Sequence, residues 1–160
     1  MYNRQKAVDY ANRWWNNFNP AFPKFDDDCT NFISQCLLAG GAPMTGYPDR
    51  IKGWWLKGGT WSYSWTTANA LFWHLQNSKK GLQGKRVSSE SELELGDLIF
   101  LDFTGDGRID HSLIVTSIIN GVPYVNAHTT NSYHRLWTYE DSSAYTPNIK
   151  YYFIHIEVTP

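Results

Sequence analysis

A cysteine stands at the point where an acidic cluster meets an apolar pattern with helical spacing, in the stretch KFDDDCTNFISQC at residues 24–36. Cys29 would lie in the first turn of that helix, where the positive end of the helix dipole lowers a thiol pKa. Such a thiolate is a nucleophile, and its own N–H can help to stabilise an oxyanion. The alternative is a buried structural cysteine in a helix capped by Asp27 or Asp28, whose charges oppose thiolate formation.

His111 is the histidine best placed to act as a base. It follows the turn GDGRID and opens the apolar run HSLIVTSIING, so we expect it at the first position of a strand. Asn120-Gly121 predicts a hairpin into a second strand, VPYVNAH, in which Asn126 and His128 share one face. Antiparallel pairing brings that end near His111, so the sequence predicts a base with a polar residue that orients it.

An acidic segment, DFTGDGRID, resembles the first half of a calcium-binding loop through Asp102, Asp106 and Asp110. The bidentate glutamate that completes such a loop is replaced by Leu113, which excludes a full EF-hand. We therefore predict a plain acidic turn, with no metal and no cofactor.

Four tryptophans, Trp54, Trp55, Trp61 and Trp65, fall in one glycine-rich segment. Stacking rings suit sugars and peptides, so these side chains are candidates to line a substrate groove. The competing interpretation is that the segment is an ordered loop buried against the rest of the protein.

The order of elements predicts an α+β domain with N-terminal helices packed on an antiparallel sheet. Apolar residues at helical spacing predict helices over 3–17, from residue 28 to the glycines at 40, and from about residue 66. After Gly96 the sequence is rich in Val, Ile, Phe and Tyr, which is typical of strands. The polar segment 77–96 is predicted to be a mobile surface loop.

Composition excludes several classes of function. The net charge is −1, from 14 basic and 15 acidic residues, so nucleic acid is not an expected partner. No apolar run reaches the 18 or so residues of a membrane span. Cys29 and Cys36 lie about 10 Å apart along one helix, too far for a disulfide. We expect a single domain over 160 residues, as a monomer.

The segments DCTNFISQCL, GGTWSYSW, LGDLIFLDFTGDGRIDHSLIVT and YVNAHTTNS together resemble the bacterial putative amidase domain family. That family is related in architecture to the NlpC-type and CHAP cell-wall peptidases, so the resemblance implies a papain-like fold. It also implies that Cys29 is the nucleophile and His111 the general base. His128 would orient His111, with Asn126 as the alternative. Asp28 matches the relatives' acidic residue before the cysteine, and we place it at the helix start, on the substrate side with the tryptophans.

The same resemblance implies hydrolysis of an amide bond through an acyl-enzyme, with cell-wall peptide or peptidoglycan as the substrate. Such a substrate would place the mature domain outside the cytoplasm, and we expect its leader to be missing from this chain. Two alternatives remain open at this point. One is an acyltransferase with the same Cys-His pair, and the other is a noncatalytic cell-wall or glycan binding module.

Overall fold

The chain folds into an N-terminal group of helices followed by a six-stranded sheet. The structure is a computed structural model that describes residues 1–160. The helices are α1 (Arg4–Trp14), α2 (Cys29–Ala39), α3 (Tyr63–Thr66) and α4 (Ala68–Asn77), with a 3₁₀ turn at Glu90–Glu92. The strands are β1 (Leu56–Lys57), β2 (Thr60–Trp61), β3 (Gly81–Val87), β4 (Leu98–Asp102), β5 (His111–Ile119), β6 (Val122–Ala127), β7 (Ser132–Leu136) and β8 (Lys150–Thr159). No helix combines the length and apolar composition that crossing a bilayer requires.

The large sheet has the order β3-β8-β4-β5-β6-β7, and all its neighbouring strands are antiparallel. This confirms the predicted α+β class. The predicted hairpin between β5 and β6 is also confirmed, because Asn120 and Gly121 both adopt positive φ angles of 51° and 78°. Two residues with positive φ form the tight turn whose twist matches that of the strands it joins.

The sheet is covered on both faces, which explains why β4 is buried along its whole length and β5 over residues 111–116. On one face the helices pack through a cluster that includes Phe32, Leu71 and Ile114. On the other face a smaller cluster includes Leu113 and Tyr139. Side chains alternate along a strand, so consecutive residues of β5 face opposite clusters.

The prediction of a mobile loop over 77–96 is wrong, because this segment contains β3, which pairs with β8 along its whole length. A second polar strand, β7, contains His134. These two strands form the two edges of the sheet. Edge strands carry polar and charged side chains that prevent pairing with other chains, and such a composition resembles that of a loop.

Candidate active site

Cys29 is the first residue of α2, as predicted, and its side chain is buried. Its Sγ lies 3.6 Å from the hydroxyl of Thr30, which in turn lies 3.1 Å from the hydroxyl of Ser112 on β5. The N–H groups of Cys29 and Thr30 have no acceptor within the protein, as expected for the first turn of a helix. Cys29 borders a cavity of about 220 Å³ whose wall includes Asn69.

The environment of Cys29 favours the thiol over the thiolate. Burial raises its pKa to about 11, and the negative charge of Asp27 adds to this effect. Hydrogen bonds from Thr30 and Ser112 oppose the rise without cancelling it. The predicted lowering by the helix N-terminus is therefore wrong for the free protein. Cys36 is fully buried as well, and both cysteines are free, which confirms that they do not pair.

His111 is the first residue of β5, also as predicted, and only 5% of its surface is exposed. Its Nε2 lies 3.4 Å from the hydroxyl of Tyr139, and its ring stacks on Phe103. Burial lowers the His111 pKa to about 4, with a further contribution from the nearby charge of Arg135. The imidazole is thus neutral at neutral pH and able to accept a proton.

Two neighbouring cavities connect these groups. His111 borders a cavity of about 440 Å³, and Asp27 and Asp110 line both this cavity and the smaller one beside Cys29. No hydrogen bond joins Cys29 to His111 in the structure. The arrangement is a neutral thiol and a neutral imidazole on either side of two shared carboxylates.

Neither of the two residues predicted to orient His111 contacts it. A bulge in the pairing of β5 with β6 places Asn126 opposite Ile114, on the face of the sheet that carries the helices. Two residues further along, His128 has the same orientation, whereas His111 points to the opposite face. The amide of Asn126 bonds Thr116, His134 and the C-terminal turn of α1 instead.

His128 instead forms a buried pair with Asp28. Its Nδ1 lies 2.7 Å from the Asp28 carboxylate, and its Nε2 lies 2.6 Å from the carbonyl oxygen of Trp14 at the end of α1. Each ring nitrogen therefore faces a hydrogen-bond acceptor. The ring also stacks on Phe32 at 4.1 Å between centroids. The pair anchors the start of α2, and so fixes the position of Cys29.

Asp28 has a structural role, and two predictions about it are wrong: that its side chain caps α2 and that it lies on the substrate side. Its side chain makes no capping bond to α2 but accepts from the backbone of Phe25 and from the amide of Asn31, each at 3.0 Å. Together with His128, these donors occupy both oxygens of the buried carboxylate. A substrate therefore has no access to it, contrary to the predicted substrate-side role.

The tryptophan segment is buried rather than arranged along a groove. Trp54, Trp55 and Trp65 are at most 1% exposed, and Trp61 is partly buried against Phe25. Their indole N–H groups have internal partners: Trp54 donates to Ser34, Trp55 to the carbonyl of Asp49 and Trp65 to Asn31. The prediction that these side chains bind substrate is thus corrected for the three buried rings, because no solvent reaches them.

The acidic segment 102–110 forms the plain turn that the sequence predicted. The buried carboxylate of Asp102 accepts from the backbone N–H groups of Gly105, Asp106 and Gly107. Asp110 accepts from the backbone of Phe103 at 2.9 Å. These oxygens are used by the turn itself, as expected for acidic residues that stabilise a turn.

A different group has ligand atoms close enough for a metal ion, namely Glu94, Asp97 and His155. The guanidinium of Arg4 is already bonded to Asp97 at 2.6 Å and to the carbonyl of Ile156 at 2.7 Å. A fixed cation at this position makes the cluster an ion-pair network between the N-terminus and the sheet.

Sequence reasoning missed the residues that surround His111 on its own face of the sheet. Arg135 on β7 and Tyr139 after it line the larger cavity together with Thr129. Thr129 and Tyr139 have positive φ angles of 51° and 55°. Residues other than glycine rarely adopt this backbone conformation, and such strained positions cluster at functional sites. Nothing in the local pattern of β7 or of the following loop signals this role.

Comparison with known proteins finds matches in sequence. The family model described as putative amidase domain matches residues 1–154. The uncharacterized protein YhbB of Bacillus subtilis strain 168 is 56% identical over 98% of this chain and 50% of its own length. The uncharacterized protein YjcM of the same strain is 32% identical over 81% of this chain and 31% of its own length. The chain thus spans half or less of these relatives, and no solved structure matches it.

Proposed function

The chain belongs to the putative amidase domain family. On this basis we propose that it is a cysteine-dependent amide hydrolase, formed by a single domain with a papain-like fold. The observation that carries the proposal is the placement of Cys29 and His111 on two cavities that share Asp27 and Asp110. A nucleophile and a neutral base on one continuous surface are what acyl transfer requires.

The protonation states favour a mechanism in which the base acts during the attack. A thiol with a pKa of about 11 and an imidazole with a pKa of about 4 do not form an ion pair at rest. We infer that bound substrate brings the Cys29 thiol within reach of His111, which takes its proton as sulfur attacks the carbonyl carbon. The unpaired N–H groups of Cys29 and Thr30 are the candidate donors to the oxyanion.

The reaction then proceeds in two halves. His111 returns the proton to the leaving amine as the amide C–N bond breaks, which leaves a thioester on Cys29. Water, deprotonated by His111, attacks the thioester and releases the acid and the free thiol. An acyltransferase would differ only in the second half, where an acceptor other than water attacks.

Cell-wall peptide or peptidoglycan is the substrate class we propose, with action outside the cytoplasm as a monomer. The binding-module alternative loses the observation that favoured it, because three of the four tryptophans are buried in the core.

The test is release of free amine from cell-wall peptides by the purified chain, followed by mass spectrometry. Cys29→Ala should abolish the release while the protein still folds and unfolds cooperatively. Cys36→Ala is the matched control, because it removes a second buried thiol from the same helix and should retain activity. Amine release that survives in Cys29→Ala would contradict a covalent mechanism.

A further inference from the structure

A chain of buried hydroxyl groups leads away from His111 on the face of the sheet opposite the helices. The hydroxyl of Tyr139 lies 3.4 Å from Nε2 of His111 and 2.8 Å from the hydroxyl of Ser132. Ser132 in turn donates to the carbonyl oxygen of Thr130 at 2.9 Å. His111, Tyr139 and Ser132 are all buried, so the hydroxyls must satisfy one another.

The last acceptor sets the direction of every bond in this chain. A carbonyl oxygen only accepts, so the Ser132 proton points to Thr130. Arg135 also donates to the Ser132 hydroxyl, at 3.2 Å, and the oxygen has one remaining site, which accepts the Tyr139 proton. The Tyr139 oxygen is then left as the acceptor for an Nε2–H of His111. A neutral imidazole with its proton on Nε2 has its lone pair on Nδ1.

We propose that Tyr139, held by Ser132, is the positioning residue that fixes His111 in the Nε2–H tautomer and leaves Nδ1 as the basic nitrogen. Nδ1 of His111 forms no hydrogen bond. The only side-chain polar atom that is both fully buried and without a partner is Nε2 of His134, so Nδ1 of His111 is not fully buried. Nδ1 of His111 therefore reaches the cavity that it borders. The catalytic consequence rests on the proposed function of Cys29, whereas the tautomer itself does not.

Tyr139 is held in place by more than one contact. The guanidinium of Arg135 lies 3.6 Å from the centre of its ring, and Arg135 is itself fixed by two bonds to Asp141. The backbone of Tyr139 is in the left-handed region, which a bulky side chain adopts only where its surroundings require it. Loss of the hydroxyl alone, in Tyr139→Phe, keeps the ring and these contacts.

The experiment is long-range ¹H–¹⁵N NMR of the His111 imidazole at neutral pH, with His111→Gln used to assign the signals. We expect the Nε2–H tautomer in the unaltered chain and a mixture of tautomers in Tyr139→Phe. Tyr151→Phe is the control, because that phenol bonds the carbonyl of Thr138 and not His111. A proton found on Nδ1 in the unaltered chain would overturn the proposal, as would an unchanged tautomer in Tyr139→Phe.

A second variant makes the opposite prediction for the same signal. In Ser132→Ala the Tyr139 proton loses its acceptor and turns to Nε2 of His111, so the tautomer should shift to Nδ1–H. A tautomer that stays at Nε2–H in Ser132→Ala would refute the direction of the chain, whether or not Tyr139→Phe folds.

Kinetics supply the link to catalysis. On a substrate that the chain hydrolyses, Tyr139→Phe should lower kcat about tenfold to a hundredfold with little change in KM, because it misplaces the base. An unchanged kcat would overturn the positioning role. Failure of the proposed hydrolase function would instead appear as activity in Cys29→Ala, which leaves the NMR result intact.

Discussion

The burial of His111 predicts a sensitivity to acid that one substitution should remove. The ordinary pKa of this side chain is 6.5, and in the folded protein it falls to about 4. Between pH 4 and pH 6.5, His111 is therefore protonated in the unfolded chain and neutral in the folded chain. The stability that depends on neutral His111 is therefore complete above pH 6.5 and is lost as the pH falls through 4. At 1.36 kcal/mol for each pKa unit, the loss is about 3 kcal/mol.

The assay is urea unfolding at pH 7, 6, 5 and 4, followed by tryptophan fluorescence, for the unaltered chain and for His111→Gln. Glutamine does not titrate and can still donate to Tyr139. Both proteins contain the same carboxylates, so the effect of carboxylate titration on stability cancels in the comparison. We expect the unaltered chain to lose about 3 kcal/mol more than the variant between pH 7 and pH 4. His74→Gln should show a smaller difference, because that ring is only partly buried. Equal pH dependence in the two proteins would show that the folded site accepts a proton freely and would refute the reasoning.

Three further predictions address the rest of the site and the fold. Iodoacetamide should modify Cys29 appreciably only as the pH approaches 11, and Asp27→Asn should move this rise to lower pH. Mass spectrometry of the labelled chain measures both, and rapid labelling at pH 7 would contradict them. His128→Ala should cost about 3–5 kcal/mol in urea unfolding, because it leaves the Asp28 carboxylate buried without its partner. Gly84→Ala should cost about 1–3 kcal/mol, because its Cβ would lie 2.5 Å from a side chain of β8. An unchanged melting temperature would contradict the last prediction.

The sequence predicted those parts of the structure that depend on neighbouring residues. The start of α2 at Cys29, the start of β5 at His111 and the hairpin at Asn120-Gly121 were all visible as local patterns. Each follows from a few consecutive side chains that favour one backbone conformation. The acidic turn before His111 is predictable for the same reason, because the Asp102 carboxylate accepts from backbone N–H groups three to five residues later.

What the sequence did not reveal depends on contacts between distant segments. The bulge between β5 and β6 decides which face Asn126 occupies, and no residue pattern marks it. Tyr139 approaches His111 from a loop 28 residues away in sequence. The thiol pKa of Cys29 illustrates a competition between two effects. The helix dipole is apparent from the sequence, but the opposing cost of burial depends on how completely the sheet covers the side chain.

The buried pair of His128 and Asp28 has a consequence for the order of folding. It joins segments 100 residues apart in the chain, and the bond from His128 to the end of α1 spans 114 residues. Contacts between residues so distant in sequence form later than local ones, because the entropy of loop closure is lost before the contact compensates it. Helix α2 can form early from its own residues, but its first turn acquires its final position only when the end of β6 docks. The reactive end of this helix is therefore completed late, when the sheet that would hold the base already exists.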